Sequence, residues 1–241
     1  MAPAVRLYRG GVFKNSFMEV FCVATTFKKA VAHQRYRLKD GTLVPGVTTI
    51  VGMLNKPQLV SWANRLGLQG IDSATYMAAA AGAGTCAHEM IQAIVGGPEV
   101  DLTKYSGEEI AQAQNAVEKF KTWLGSHEME TQAIEMQLVS ESYRVGGTID
   151  WYGLLDGKKT LADIKTSGKI YEEHIIQVAA YKKMLEEAGY EVEDVRILRF
   201  SRDDDDNQRD MGLSDRQLSF GWEIFLHLRN IYDLKQNIKI A

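Results

Sequence analysis

The chain has 241 residues, an apolar share of 45% and a charged share of 24%, proportions of an ordinary globular protein with enough length for one substantial core. A net charge of −3 argues mildly against a general nucleic-acid binder, which carries a basic surface, although a local basic groove can coexist with that total. Two cysteines, Cys22 and Cys86, exclude a disulfide framework, a four-thiolate zinc site and a four-cysteine iron–sulfur cluster.

No apolar run reaches the length of a membrane span, and the first residues lack the apolar core of a signal peptide, so the expected location is the cytoplasm with no membrane partner. There is no internal repeat and no low-complexity linker. The expectation is one domain over 1–241, with an N-terminal strand-and-helix elaboration over about 1–75 and a core over about 76–241.

In chain order, residues 5–44 are rich in Val, Phe, Tyr and Thr and read as short strands, with a turn at Lys39-Asp40-Gly41. Val47 to Ile50 lead into a helical pattern through Met53 and Leu54. Pro57 can open a second helix that ends near Gly67. Trp62 and Arg65 on it have two readings: base stacking with a phosphate contact, or an amphipathic helix with a buried Trp. A third helix spans about 74–95 with an interruption expected near Gly82–Gly84, and Gly96-Gly97-Pro98 stops it. A fourth follows Ser106, its apolar face made by Ile110, Ala113, Val117, Phe120 and Leu124. Residues 131–142, 144–155 and 159–166 read as three strands, 171–188 as a helix stopped by Gly189, 193–200 as a strand and 218–238 as a last amphipathic helix. Asp203–Asp206 lacks the alternating ligands of a calcium loop and reads as a solvated acidic run. This order predicts an α/β fold, a central sheet flanked by helices.

The chemistry concentrates around Asp156-Gly157. Asp-Gly between two β-prone runs signals a two-residue hairpin turn. Leu155 then faces Lys158, and counting back along both strands brings Asp150 opposite Asp163, with Lys165 on the face of Asp163. A three-residue turn would shift this register by one. Two carboxylates that close repel unless a cation or proton joins them, and hard oxygen ligands suit Mg²⁺ or Mn²⁺. A lysine beside such a pair can steady the charge of a phosphate under attack. The alternative is a surface hairpin with Asp and Lys paired across strands.

The run from Gly146 to Lys169, with Gln177 and Tyr181 beyond it and Gly84-Thr85-Cys86-Ala87-His88 before it, resembles the RecB-like exonuclease branch of the PD-(D/E)XK nuclease superfamily, covering about 84–181. The resemblance implies a restriction-endonuclease-like αβββαβ core with a mixed sheet. It implies that His88, Asp150, Asp163 and the backbone carbonyl of Ile164 bind Mg²⁺ or Mn²⁺. Lys165 would be catalytic with Asp150 and Asp163, and Gln177, Tyr181 and Thr166 would support the site or touch DNA. Glu135, on the preceding strand, is an additional candidate ligand or a solvent-facing carboxylate, whereas Glu89 and Glu141 read as structural. No Walker A sequence is present, so no ATP is expected, and the cysteine count excludes the iron–sulfur members. The implied function is a stand-alone DNA exonuclease of the phage-recombination or repair type. It would leave 5′-phosphate and 3′-hydroxyl ends, with DNA as substrate and a recombination or single-strand-binding protein as partner. The alternatives are a structure-specific or flap endonuclease on the same site, and a non-catalytic nucleic-acid-binding protein that keeps the fold. Oligomeric state has no signal in the sequence.

Overall fold

A computed structural model describes residues 35–203 and 208–238. The strands expected before residue 35, together with Cys22 and the acidic run beyond Asp203, lie outside them. A small hairpin, β1 (Tyr36–Arg37) and β2 (Leu43–Val44), opens the described part, turning at Lys39 and Asp40 as the sequence predicts. Helices α1 (Val47–Val51), α2 (Pro57–Leu68), α3 (Ser73–Ile94) and α4 (Gly107–Leu124) follow. Next come β3 (Met129–Ser140), β4 (Val145–Leu155), β5 (Lys158–Lys165), α5 (Glu172–Glu187), β6 (Asp194–Arg199), β7 (Arg209–Gly212) and α6 (Asp215–Asn237). The expected αβββαβ order is present. The expected break in α3 is absent: Gly82 stays helical and lets the Glu109 side chain come within 1.8 Å of where a Cβ would stand. The short strand β7, which carries Arg209 and Asp210, is too polar to read as a strand from sequence.

The five strands form one mixed sheet in the order β3-β4-β5-β6-β7. All neighbours are antiparallel except β5 and β6, which run parallel with α5 as the crossover. Apolar side chains leave both faces. On one, Ile149, Leu161, Val195 and Ile197 pack with α1, α5 and α6 through Ile50, Leu185 and Phe225. On the other, Trp151, Ala162, Ile164 and Leu198 pack with α3 and α4 through Ile91 and Phe120. Burial on both faces explains the near-continuous apolar runs of β5 and β6. Among the described residues, no helix is long and apolar enough to cross a membrane.

Two irregularities place the site. Asp156 (φ 50°) and Gly157 (φ 78°) make the two-residue turn that the sequence predicts, and the register runs from Leu155↔Lys158 to Trp151↔Ala162. There the ladder stops. Beyond it β4 pairs only with β3 and β5 only with β6, so the two strands part at Asp150 and Asp163. The backbone N–H of Ile164, left without a partner on β4, donates to Asp150 Oδ2 at 2.7 Å. The second irregularity is in β3: a bulge between Thr131 and Ala133, followed by Glu135 in the left-handed region at φ 48°. On either side of Glu135 and Asp150, β3 and β4 swap core faces: Ile134 and Trp151 pack towards α4, Met136 and Ile149 towards α5.

Gly153 lies against the bulge, and a Cβ there would sit 2.1 Å from the Glu130 carbonyl oxygen and 2.8 Å from the Trp151 ring. Backbone cannot yield cheaply. Gly153→Ala is expected to lower stability by about 1–3 kcal/mol, as overpacking of a rigid core does. Urea unfolding followed by circular dichroism checks this: the midpoint should fall at an unchanged m-value, and an unmoved midpoint would refute the steric account.

Candidate active site

Four elements meet where β4 and β5 separate. Helix α3 is small-residued here, with Ala83, Cys86 and Ala87 fully buried against its neighbours, so its backbone approaches the sheet closely. That approach carries His88 to Asp150, with Nδ1 at 4.0 Å from Oδ2. From β3 comes Glu135, whose left-handed backbone turns it towards the same point. One ligand atom each from His88, Glu135 and Asp150 lies within 4.8 Å of the other two. One turn along α3 from His88, Gln92 donates Nε2–H to Glu135 Oε1 at 2.6 Å and fixes that carboxylate.

Asp163 and Lys165 form the second half. Asp163 is 1% exposed, and the Lys165 ammonium lies 2.9 Å from its Oδ1 and 2.8 Å from its Oδ2. The expected triad is therefore split. Asp150 joins His88 and Glu135, while Asp163 holds the lysine next to them. Ile164 contributes its backbone: the N–H goes to Asp150, a backbone hydrogen bond also joins it to His88, and its side chain is in the core. Gln177 lines the cleft and donates to the Tyr181 hydroxyl at 3.1 Å. Tyr181 is buried over Gly147, where a Cβ would stand 2.5 Å from the ring, and is not among the residues lining the cleft. Thr166 is buried at the cleft wall, and its carbonyl accepts from Arg202 Nε at 3.0 Å.

Of these groups, His88, Glu135, Gln92, Lys165, Thr166 and Gln177 line an open cleft of about 490 Å³ between α3 and the start of α5. Glu89 also lines it, 3.9 Å from Lys104. Three polar lining residues escaped the sequence reading: Gln92, His174 and Arg202. Gln92 and His174 were open to inference, standing one turn from His88 and from Gln177 on the same helix faces. Arg202 had no signal, because it reaches the cleft only through the fold. Neither Trp62, which meets Tyr76 edge-on, nor exposed Arg65 and Lys169 is among the cleft residues. Glu141 is structural, accepting from the Lys39 backbone N–H at 2.8 Å.

The electrostatics are those of crowded acids. Burial, with Asp150 adding repulsion, pushes Glu135 up to about 8, against the pull of Gln92. Burial raises Asp150 despite Lys165 and the Ile164 N–H, and raises Asp163 despite Lys165. Burial works to discharge Lys165, but Asp163 and Asp150 outweigh it and leave the ammonium harder to deprotonate than usual. His88 and His174 are each pushed down to about 4 by burial and then by the Lys165 charge. Asp163 Oδ2 is buried without a hydrogen bond among the described residues, and the Lys165 ammonium lies 2.8 Å from it. Neutral imidazole nitrogen and carboxylate oxygens that resist ionising together are a donor set suited to a divalent cation, which would relieve their repulsion. His88, Glu135 and Asp150 fit such an ion.

No family model matches the chain, and no curated protein does. A solved structure from Eubacterium rectale, named only provisionally as an exonuclease, aligns over 81% of this chain and 80% of its own at 10% identity and a TM-score of 0.37. The solved structure of SSO0001 aligns over 61% of this chain and 85% of its own, at 13% identity and a TM-score of 0.29. Likeness this slight says nothing about what the chain does, so its own residues must.

The raised Glu135 has a stability consequence. In the unfolded chain it ionises from about 4.5; in the fold it keeps its proton to about 8, so the folded state binds more protons in between and stability falls as pH rises. His88 and His174 act oppositely, since their proton is bound by the unfolded chain between about 4 and 6.5. Above pH 6.5 the unfolded imidazoles give up their remaining protons, and the carboxylate, titrating at about 8, contributes the larger slope. Metal-free protein in EDTA is expected to lose stability from pH 6.5 to pH 8, and Glu135→Gln to flatten that slope. Thermal unfolding at both pH values checks it; parallel slopes in the two proteins would show Glu135 ionised throughout.

Proposed function

We propose that this chain is a divalent-metal-dependent deoxyribonuclease of the RecB-like PD-(D/E)XK kind, acting as an exonuclease. The observation that carries the reading is the gathering of His88, Glu135 and Asp150 within 4.8 Å, beside the Asp163–Lys165 pair, with His88, Glu135 and Lys165 lining one open cleft. The order of motifs supports it, since the residues that resemble the family's signature are those that converge.

His88, Glu135 and Asp150 would hold Mg²⁺ or Mn²⁺, with the Ile164 backbone and Asp163 at its edge. When bound, the ion supplies positive charge to the phosphate and acidity to a water. The protein's own groups do the rest. Lys165 is a cation at neutral pH because two carboxylates hold its proton, so it serves as a charge partner for the phosphate oxygens and an orienter of the attacking water, not as a general base. Asp163 fixes where that ammonium points. Gln177, braced by Tyr181, and Thr166, braced by Arg202, form the walls against which DNA is seated. A water oxygen bonds to phosphorus as the bond to the 3′ oxygen breaks, leaving a 5′-phosphate and a 3′-hydroxyl.

Linear end-labelled duplex and single-stranded DNA, with a closed circular control, should be degraded with Mg²⁺ or Mn²⁺ and spared in EDTA. Lys165→Ala and Asp150→Asn should each slow cleavage by roughly a hundredfold or more, the scale of losing one charge-stabilising group. Loss of linear but not circular DNA would establish attack at ends, and loss of both would establish internal cutting. Wild-type rates in Lys165→Ala would remove the catalytic assignment.

A further inference from the structure

Most nitrogen donors around the cleft already have a protein partner. Lys165 is on Asp163, Arg202 on the carbonyls of Thr166 and Ala80, Gln177 on Tyr181 and Gln92 on Glu135. His174 differs. It is the third residue of α5, whose N-cap, Tyr171, offers no side-chain cap. The Tyr171 backbone N–H donates instead to His174 Nδ1 at 3.3 Å, and the Tyr171 ring meets the imidazole edge-on at 5.6 Å. A nitrogen that accepts a hydrogen bond carries no proton, so a neutral ring must carry it on Nε2. Among the described residues Nε2 has no partner, and the ring lines the cleft with Lys165 and Gln177.

We propose that His174 is a substrate-contact residue, its Nε2–H donating to a non-bridging oxygen of a DNA phosphate seated in the cleft. The inference rests on the nuclease reading and adds a contact to it. A neutral donor suits this place. A further permanent cation near Asp163 and Asp150 would be drawn into an ion pair with them, whereas an imidazole held uncharged by burial and by Lys165 stays available to the phosphate. Its direction is set by the helix N-terminus, so no rotamer search accompanies binding. His174, Gln177 and Tyr181 fall three and four residues apart, which aligns the donor with the two residues the motif already places on that face.

The test uses the full chain, oligonucleotides in EDTA to hold cleavage off, and the variants His174→Leu and His174→Gln. Leu removes both the cap acceptor and the donor; Gln keeps an oxygen for the Tyr171 N–H and an N–H for the phosphate. Leu should weaken DNA binding by roughly tenfold or more, the worth of a hydrogen bond to a charged group, and Gln should recover most of it. A single methylphosphonate is then walked along the DNA. Wild type should show a sensitive position at which His174→Leu is insensitive, a coupling that a purely structural histidine would not produce. Equal sensitivity at every position would overturn the proposal, as would affinity that merely follows the thermal midpoint across both variants. Wild-type protein that binds no DNA in EDTA would overturn this inference, and protein that also cleaves none with Mg²⁺ or Mn²⁺ would overturn the nuclease reading with it.

Discussion

The cost of burying carboxylates organises this molecule. Asp150, Glu135 and Asp163 are brought together where burial strips away much of their water, and each keeps its proton more tightly than a free carboxylate does. A fold tolerates such a cluster only where something else returns the cost, and here every neighbour is arranged around it. Lys165 lies against Asp163, Gln92 against Glu135 and the Ile164 amide against Asp150. The separation of β4 from β5 is part of the same arrangement. Had the ladder continued, Ile164 would have spent its N–H on β4 and the strands would have closed the space that the cleft occupies.

What could be read in the sequence depended on periodicity. The Asp156-Gly157 turn has one dominant geometry, so pairing could be counted outward from it, and the observed ladder follows that count as far as Trp151 and Ala162. The amphipathic helices and the order of elements were legible for the same reason. The placement of Gln177 on the cleft and Tyr181 behind it follows from helical spacing once one of them is located.

The partition of the carboxylates was not legible. Register alone makes Asp150 and Asp163 partners, and it leaves Glu135 undecided between ligand and surface. What decides is a break in periodicity: the bulge after Thr131 and the left-handed backbone of Glu135, neither of which has a compositional signature. A glutamate gains nothing locally from that conformation, and strained residues of this sort persist where the surroundings over-determine them. Polar β7 and the position of Arg202 were equally hidden, because both depend on contacts between segments distant in sequence.

The hydrogen bond from Ile164 to Asp150 has a consequence for how a cation would be held. One oxygen of that carboxylate already accepts from an amide, which takes one of its two lone pairs and leaves the other oxygen the better donor to a cation. Calcium fills a shell of six to eight oxygens and draws on bidentate carboxylates to do so. A small octahedral ion asks less of the protein, since it retains most of its waters and takes only a few direct ligands. By taking one lone pair, a backbone amide favours coordination through one oxygen of Asp150 for any cation the site would hold.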